Sequence, residues 1–316
     1  MTRPSPPSWQ VWTALWLVYV VWGSTYLAIA YVVDTVPPLV GMGLRFVTAA
    51  LLVAAYVAVR RGPAALRVSR RQLRSAAVVG LLLLLGGNGG VALAESADLP
   101  SGLAALLVAV IPLQVVLLRW LARDRPSAQT VAGVGLGFVG LAVLLLPGAR
   151  PEGVALVAVL TVVAGAFLWS LGSFYATRAE LPADGLTTTA VEMACGGVAL
   201  LVVGVLRGER VDVEAVSTSS LVALGYLVVF GSIVAFTAYS WLLSVAPVSQ
   251  VATYAYVNPV VAVALGAVLR GEDVTRLTVL GGAITIVAVA VVVREEGRRR
   301  ARPAEVDLRE PQAVPS

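Results

Sequence analysis

Three charged side chains lie within or at the end of long apolar stretches of this sequence: Arg45, Glu95 and Glu192. A charge at bilayer depth is costly unless it is paired or hydrated. We therefore expect Arg45 and Glu192 to face a cavity or one another. Glu95, near the end of its stretch, is expected at the cavity or at the membrane interface. Structural ion pairing, or snorkelling of the side chain to the interface, is the alternative for all three.

Polar and aromatic residues at helical spacing form a second candidate set. Trp22 and Tyr26 are four residues apart and share a helix face, and Ser24 lies between them. Tyr254 and Asn258 have the same spacing, directly before a proline. For any one aromatic, packing or an interfacial belt is the competing explanation. The candidate solute-binding residues are Trp22, Ser24, Tyr26, Arg45, Asn88, Glu95, Trp169, Glu192, Tyr254 and Asn258.

Glycines and prolines indicate where the helices could approach or bend. Asn88 lies in the glycine-rich segment 86–90, seven residues before Glu95 on the same helical stripe. Glycines there permit close helix approach or local unwinding. Pro112 and Pro259 each remove one helical hydrogen bond and should kink their helices. We predict gating roles for both, while membrane helices also simply tolerate proline.

The elements that must position these residues are membrane-spanning helices. The 316-residue chain is 59% hydrophobic and 13% charged, more apolar than a water-soluble domain of this size could bury. A bilayer core of about 30 Å needs about 20 apolar residues per helix. The sequence predicts an all-α polytopic membrane protein with ten transmembrane helices, near 11–31, 39–59, 76–97, 101–121, 128–147, 154–177, 187–206, 219–244, 248–269 and 275–293.

The chain matches itself at a shift of 147 residues. This shift places Trp22 on Trp169 and Pro112 on Pro259, and it relates Arg45 to Glu192. Each half then contains five helices, an odd number, so the second half must cross the membrane in the opposite sense. Two inverted five-helix repeats are typical of secondary transporters with a midplane site. A plain bundle with accidental matches is the alternative. The predicted units are an N-terminal segment 1–10, repeats 11–147 and 154–293, and a disordered tail 294–316.

Arginine sets the predicted orientation, because the sequence contains no lysine. With the N-terminus in the cytoplasm, 17 arginines fall on the inner side and 5 on the outer side. The positive-inside rule therefore predicts an inner (plasma) membrane protein with both termini cytoplasmic. The pI of about 9.7 then reflects contact with anionic membrane lipid and requires no nucleic acid.

Several chemistries are poorly supported by composition. The sequence contains no histidine and no lysine, which removes histidine metal sites, P-loops and Schiff bases. Cys195 is the single cysteine, so no intramolecular disulfide can form. We therefore predict no enzyme activity, no cofactor and no metal site. Gly133 and Gly137, together with Gly135 and Gly140, form a small-residue face that predicts either an intramolecular contact or a homodimer seam.

Short motifs recur in order along both halves of the sequence: Trp22-Gly23-Ser24, Leu44-Arg45-Phe46, Glu95-Ser96, Pro100-Ser101-Gly102, Ile111-Pro112, Asn258-Pro259 and Arg270-Gly271-Glu272. In this order and at these spacings, the motifs resemble the EamA family of the drug/metabolite transporter superfamily. The resemblance implies ten helices in two inverted repeats, both termini inside, and export of amino acids or other small metabolites. The chain departs from the family pattern at 123–126, where Asp124 stands in place of the usual glutamate.

The predicted function is a secondary transporter that exports a small organic metabolite or drug-like solute by alternating access. An intramembrane enzyme acting on a lipid or prenyl substrate, and a lipid-linked sugar flippase, are the alternatives. The enzyme would need a cluster of acidic or nucleophilic groups, whereas the sequence has scattered single carboxylates. A proton carried by Glu95 or Glu192 is the predicted coupling ion, with uncoupled facilitation as the competing possibility.

Overall fold

The computed structural model describes residues 8–123, 125–146, 148–149, 153–246, 251 and 253–301. The described residues are 81% helical and contain no strand. Within those ranges, nine helices are long and apolar enough to cross a membrane, and a tenth apolar helix is shorter. The predicted all-α polytopic fold is confirmed.

The first half contains the first to fifth spans. The third span begins at a capping box, in which Ser69 Oγ accepts from the Gln72 amide and Gln72 Oε1 accepts from the Ser69 amide. The third span changes to π-helix in its middle, and the fourth is broken at 109–110. The spans are Ser8–Val33, Pro38–Arg61, Arg70–Gly80 with Leu81–Asn88 and Gly89–Glu95, Ser101–Val108 with Ile111–Leu121, and Ala128–Leu145; a 3-10 turn, Pro63–Leu66, joins the second to the third.

The second half contains the sixth to tenth spans, and the eighth again changes to π-helix in its middle. The tenth helix runs into the segment predicted as a tail, because Glu296 accepts hydrogen bonds from Arg119 at 2.6 Å and from Thr130 at 3.2 Å. The remainder of that tail, and residues 1–7 of the N-terminal segment, lie outside the described residues. The spans are Leu156–Ala176, Gly185–Leu206, Thr218–Tyr226 with Leu227–Val234 and Ala235–Val245, Tyr254–Arg270, and Arg276–Ala301.

Equivalent spans of the two halves pack against each other in antiparallel pairs. Near one end of the second–seventh pair, a methyl group on Gly43 would lie 2.7 Å from the Leu201 side chain. At the other end, Arg61 forms an ion pair with Asp184. Residue numbers rise along one helix as they fall along its partner, and the fifth–tenth pair behaves in the same way. The two five-helix repeats therefore cross the membrane in opposite senses, as predicted.

The remaining spans exchange partners between the repeats. The first span packs against the eighth and ninth, and the sixth span packs against the third and fourth. These two sets of contacts are related by the same pseudo-two-fold symmetry, because each span number differs by five. The space between the two sets lies on the symmetry axis, away from lipid.

The small-residue face of the fifth span is an intramolecular contact. Methyl groups on Gly133, Gly137 or Gly140 would meet side chains of the fourth or tenth span at 2.7 Å or less. A methyl group on Gly135 would meet nothing within 4 Å. The tenth span therefore packs against the small-residue face from which the sequence suggested a homodimer contact.

Gly140→Ala should destabilise the protein, because the added methyl group would lie 2.7 Å from the Thr285 amide nitrogen and 3.0 Å from the Gly281 carbonyl oxygen. Because backbone atoms cannot relieve the overlap by changing a side-chain rotamer, we expect the free energy of unfolding to fall by about 1–3 kcal/mol. Gly135→Ala, on the open side of the same helix, is the matched control. Thermal unfolding in detergent should separate the two variants, and an equal loss in both would contradict this packing.

Candidate functional site

A cavity of about 330 Å³ lies between the two repeats, bordered by residues from every span except the fifth and tenth. This volume is within the range of small-molecule pockets. The lining residues of the first, fourth and eighth spans, such as Trp22, Val108 and Ser232, lie near the middle of those spans, whereas those of the ninth span come from its first two turns. The predicted residues that border it are Trp22, Tyr26, Arg45, Asn88, Pro112, Trp169, Glu192, Tyr254, Asn258 and Pro259.

Arg45 is held at the cavity by polar and aromatic contacts from both repeats. Its side chain is 5% exposed, and Nε donates to Ser232 Oγ at 3.0 Å. The guanidinium group lies 4.6 Å from the centre of the Phe46 ring, a cation–π distance. Among the described residues, no carboxylate forms an ion pair with Arg45. The site therefore contains a buried positive charge with spare hydrogen-bond donors.

Glu192 reaches the same cavity from the seventh span. The third span approaches closely there, since a methyl group on Gly80 would lie 2.3 Å from the Glu192 carbonyl oxygen. In the described structure Glu192 forms no ion pair, and in particular none with Arg45. One cavity thus contains a guanidinium group and a carboxyl group that form no ion pair with each other.

Three aromatic rings form a cluster beside these charges. The Trp22 ring lies 5.0 Å from Tyr239 and 5.2 Å from Tyr254, and the two tyrosine rings are 5.7 Å apart, centre to centre. Trp22 Nε1 donates to the Gly231 carbonyl oxygen at 3.3 Å. The Asn258 amide nitrogen, in its bonded orientation, donates to the Tyr254 carbonyl oxygen at 3.2 Å. The cluster offers flat apolar faces to a solute, with its polar groups already oriented.

The glycine-rich segment of the third span brings Trp169 of the sixth span against Gly87, next to Asn88 in sequence. A methyl group on Gly87 would lie 2.7 Å from the Trp169 ring, and one on Gly86 would lie 2.7 Å from Leu168. The helix is also π-helical at 81–88, so close approach and altered winding, the two predicted effects, occur together. The eighth span is π-helical at the equivalent place, 227–234. Such segments are frequent at functional sites.

The two prolines differ in their local structure. Pro112 lies in the first turn of the helix that follows the break at 109–110 of the fourth span. Pro259 lies inside a continuous ninth helix. Both prolines border the cavity, but only Pro112 lies next to a break in its span. Their gating roles stay predictions.

Ser24 and Glu95 do not border the cavity. Ser24 Oγ lies 2.6 Å from the Tyr226 hydroxyl and donates to the Val21 carbonyl oxygen at 2.8 Å, so it joins the first and eighth spans. Glu95 is 6% exposed, and neither carboxylate oxygen has a hydrogen-bond partner.

Charged contacts between the repeats close one end of the bundle, here called the Asp34 face. Arg270 donates to both Asp34 carboxylate oxygens, at 2.9 and 3.1 Å, and lies over the Tyr31 ring at 4.9 Å. The Glu272 carboxylate accepts from the amides of Ser101 and Gly102 at 2.9 and 3.0 Å. These contacts tie the first and fourth spans to the end of the ninth.

The opposite end, here called the Arg61 face, has its own interrepeat contacts. Asp184 caps the seventh span by accepting from the Thr187 amide at 3.0 Å, and it pairs with Arg61. Partial burial by itself would raise the pKa of Asp184, but the hydrogen bonds from Thr187 and Arg61 outweigh it and lower that pKa below its usual value. Arg119 and Glu296 form a second ion pair at this face.

Sequence reasoning missed the eighth-span contribution to the site. Ser232, Phe236 and Tyr239 all border the cavity, and they follow a spacing of four and three residues. That polar and aromatic stripe was a usable signal.

A family model described as the EamA-like transporter family matches residues 11–146 and again residues 156–294. The chain belongs to the EamA-like transporter family. Its two matches coincide closely with the two structural repeats, and the protein is a membrane transporter. The resemblance inferred from the motifs is confirmed.

Individual relatives agree with this assignment. The chain is 37% identical to the inner membrane transporter YedA of Escherichia coli (strain K12), with 88% of this chain and 89% of that protein covered. It is 26% identical to a probable amino-acid metabolite efflux pump of Salmonella typhimurium (strain LT2), with 92% and 96% covered. A solved crystal structure superposes with a TM-score of 0.63 at 22% identity, covering 94% of this chain and 100% of that one, which supports the fold.

Arg45→Gln and Glu192→Gln should change stability additively, because the two side chains do not form an ion pair. We expect a coupling energy clearly smaller than that of a direct ion pair. Arg119→Gln and Glu296→Gln, which separate an ion pair of 2.6 Å, form the control cycle and should couple more strongly. Thermal unfolding of the single and double variants in detergent gives the coupling energy of each cycle. A strong coupling between Arg45 and Glu192 would show that their side chains interact directly.

Proposed function

We propose that this protein exports a small organic metabolite carrying both a carboxylate and an amine, by alternating access through the central cavity. The observation that supports this most directly is the pair of charges, Arg45 and Glu192, that border one cavity without an ion pair between them. A solute of both charges would supply the missing partner of each.

The energetic argument rests on the cost of buried charge. A solute that covers Arg45 and Glu192 must replace the hydrogen bonds that water would otherwise make to them. A carboxylate suits the guanidinium fork of Arg45, whose Nε is already used by Ser232. An ammonium group suits Glu192, and the Trp22–Tyr239–Tyr254 cluster accommodates apolar substituents.

Two relatives together support an inner-membrane location and the export of an amino-acid-like solute. One is described as a probable amino-acid metabolite efflux pump, and another as an inner membrane transporter. By analogy we assign this chain to the inner membrane, with export from the cytoplasm. The apolar side chains exposed on the outer surface of the bundle, such as Leu51 and Val202, would contact membrane lipid.

Alternating access follows from the inverted repeats. Each repeat contributes equivalent helices to the cavity, so exchanging the conformations of the two repeats would open the opposite face. The break before Pro112 and the π-helical segments 81–88 and 227–234 supply places where a span could bend. The sequence carries no P-loop, so we assign the driving force to a gradient.

Flux into liposomes tests the proposed solute class. With purified protein and a panel of labelled zwitterionic, cationic and anionic solutes, we expect flux without product formation for at least one zwitterion. Arg45→Ala and Glu192→Gln should each reduce its flux about tenfold to a hundredfold, the value of one charge-assisted hydrogen bond. The amide analogue, which lacks the carboxylate, should be insensitive to Arg45→Ala.

Exposed residues of the same charge provide the controls for this assay. Arg207→Ala and Glu214→Gln, both outside the spans, should transport like the parent. Normal flux in both Arg45→Ala and Glu192→Gln, at equal protein in the membrane, would rule out the assigned solute contacts.

The Arg61 face should be cytoplasmic, because most loop arginines, including Arg60, Arg67, Arg70 and Arg74, lie at that end. Reporter fusions after Arg67 and after Asp212 should therefore give opposite answers, the first cytoplasmic and the second external. The same location for both would be incompatible with the inverted repeats.

A further inference from the structure

Glu95 is a buried carboxylate that the proposed solute site does not use. It is 6% exposed, and both of its oxygens lack a hydrogen-bond partner. Two other carboxylates at the Asp34 face are engaged: Asp34 by Arg270, and Glu272 by the amides at the start of the fourth span. A buried acceptor left without any partner is unusual in a folded protein and calls for a functional explanation.

The position of Glu95 connects the cavity to the Asp34 face. It lies in the last turn of the third span, four residues after Val91 and seven after Asn88, which both border the cavity. Residues at this spacing follow one stripe of the helix. Tyr26, from the first span, also borders the cavity and interacts electrostatically with Glu95.

The charged groups near Glu95 are the same residues that form the contacts between the repeats at the Asp34 face. Arg270 and Glu272 both interact electrostatically with it, one attracting and one repelling its negative form. Arg270 is bound to Asp34 in a two-bond pair, so it does not neutralise Glu95. An ionised carboxylate in this buried position, without a hydrogen-bond partner, would be costly.

We propose that Glu95 is a proton-binding residue that controls the Asp34 face of the transporter: the face stays closed while Glu95 is protonated and opens when the proton leaves. This inference deepens the proposed function, on which it rests. Ionised Glu95 competes with Asp34 for Arg270 and repels Glu272 from the fourth span. Both effects weaken the contacts that tie the first and fourth spans to the ninth.

The proton then moves opposite to the solute. With the Asp34 face open to the outside, Glu95 takes a proton from external water, and this proton permits closure. With the cavity open to the cytoplasm, the proton leaves through the cavity, past Tyr26, and the ionised carboxylate favours opening to the outside again. No bond other than the O–H bond of the carboxyl group is made or broken.

The test measures opening of the Asp34 face without any solute. In a Cys195→Ser background, Thr25→Cys places a thiol at the cavity, and a membrane-impermeant methanethiosulfonate reagent is added from outside. Val213→Cys, on an exposed loop at that face, is labelled in parallel, and the ratio of rates removes the effect of pH on the thiol itself. We expect this ratio to rise about tenfold or more from about pH 5.5 to about pH 8.5, since one linked proton changes an equilibrium by up to tenfold per pH unit.

Three variants identify the residue responsible. Glu95→Gln, a neutral isostere, should label slowly at every pH, like the parent at acid pH. Glu95→Asp keeps a titratable group and should keep the pH dependence, which also controls for misfolding. Asp98→Asn is the matched control, because it removes an exposed carboxylate three residues away, and it should behave like the parent.

A rate ratio that is independent of pH in the parent, or a full pH dependence retained in Glu95→Gln, would overturn the proposal. The solute-flux assay keeps the two inferences apart. Zwitterion flux with pH-independent labelling removes the role of Glu95 and leaves the proposed function. Labelling that depends on pH through Glu95, in a protein that moves no zwitterion, supports the proton site and removes the proposed solute class.

Discussion

Close antiparallel contact between equivalent helices is the constraint on which this structure depends. The second and seventh spans, and the fifth and tenth, approach so closely that methyl groups on Gly43 or Gly140 would overlap the partner helix. In lipid there is no hydrophobic force between apolar helices, so packing of small residues must hold them together. Because these pairs lie on the pseudo-two-fold axis, they orient the two repeats, and the first and sixth spans enclose a cavity between them.

The second constraint is the cost of charge inside a bilayer. At the two faces, charges from different repeats pair with one another, as Arg270 does with Asp34 and Arg61 with Asp184. In the interior the three charged groups are treated differently. Arg45 is held by Ser232 and Phe46, Glu192 opens onto the cavity, and Glu95 is sealed without a partner. The pairs stabilise the assembly, whereas the interior groups are those to which we assign solute and proton binding.

Much of the candidate site was readable from sequence because polar residues are rare in an apolar chain. Arg45, Glu192, Asn88 and the Tyr254–Asn258 pair stood out for that reason, and the structure brings all of them to one cavity. Ser24 and Glu95 satisfied the same criterion and lie elsewhere. A helical pattern specifies a face and a depth, but the residues that a side chain meets there come from other helices.

By itself, the sequence determined the number of spans, their approximate limits, the internal repeat and hence its inversion. These properties follow from bilayer thickness and from counting helices, both of which act locally along the chain. Only the tertiary structure decided that Arg45 and Glu192 form no ion pair, that Ser232 and Tyr239 join them at the cavity, and that Glu95 is buried without a hydrogen-bond partner. These relations depend on which helices pack together and on their rotation. Contacts between residues more than a hundred positions apart set both, and no local pattern records them.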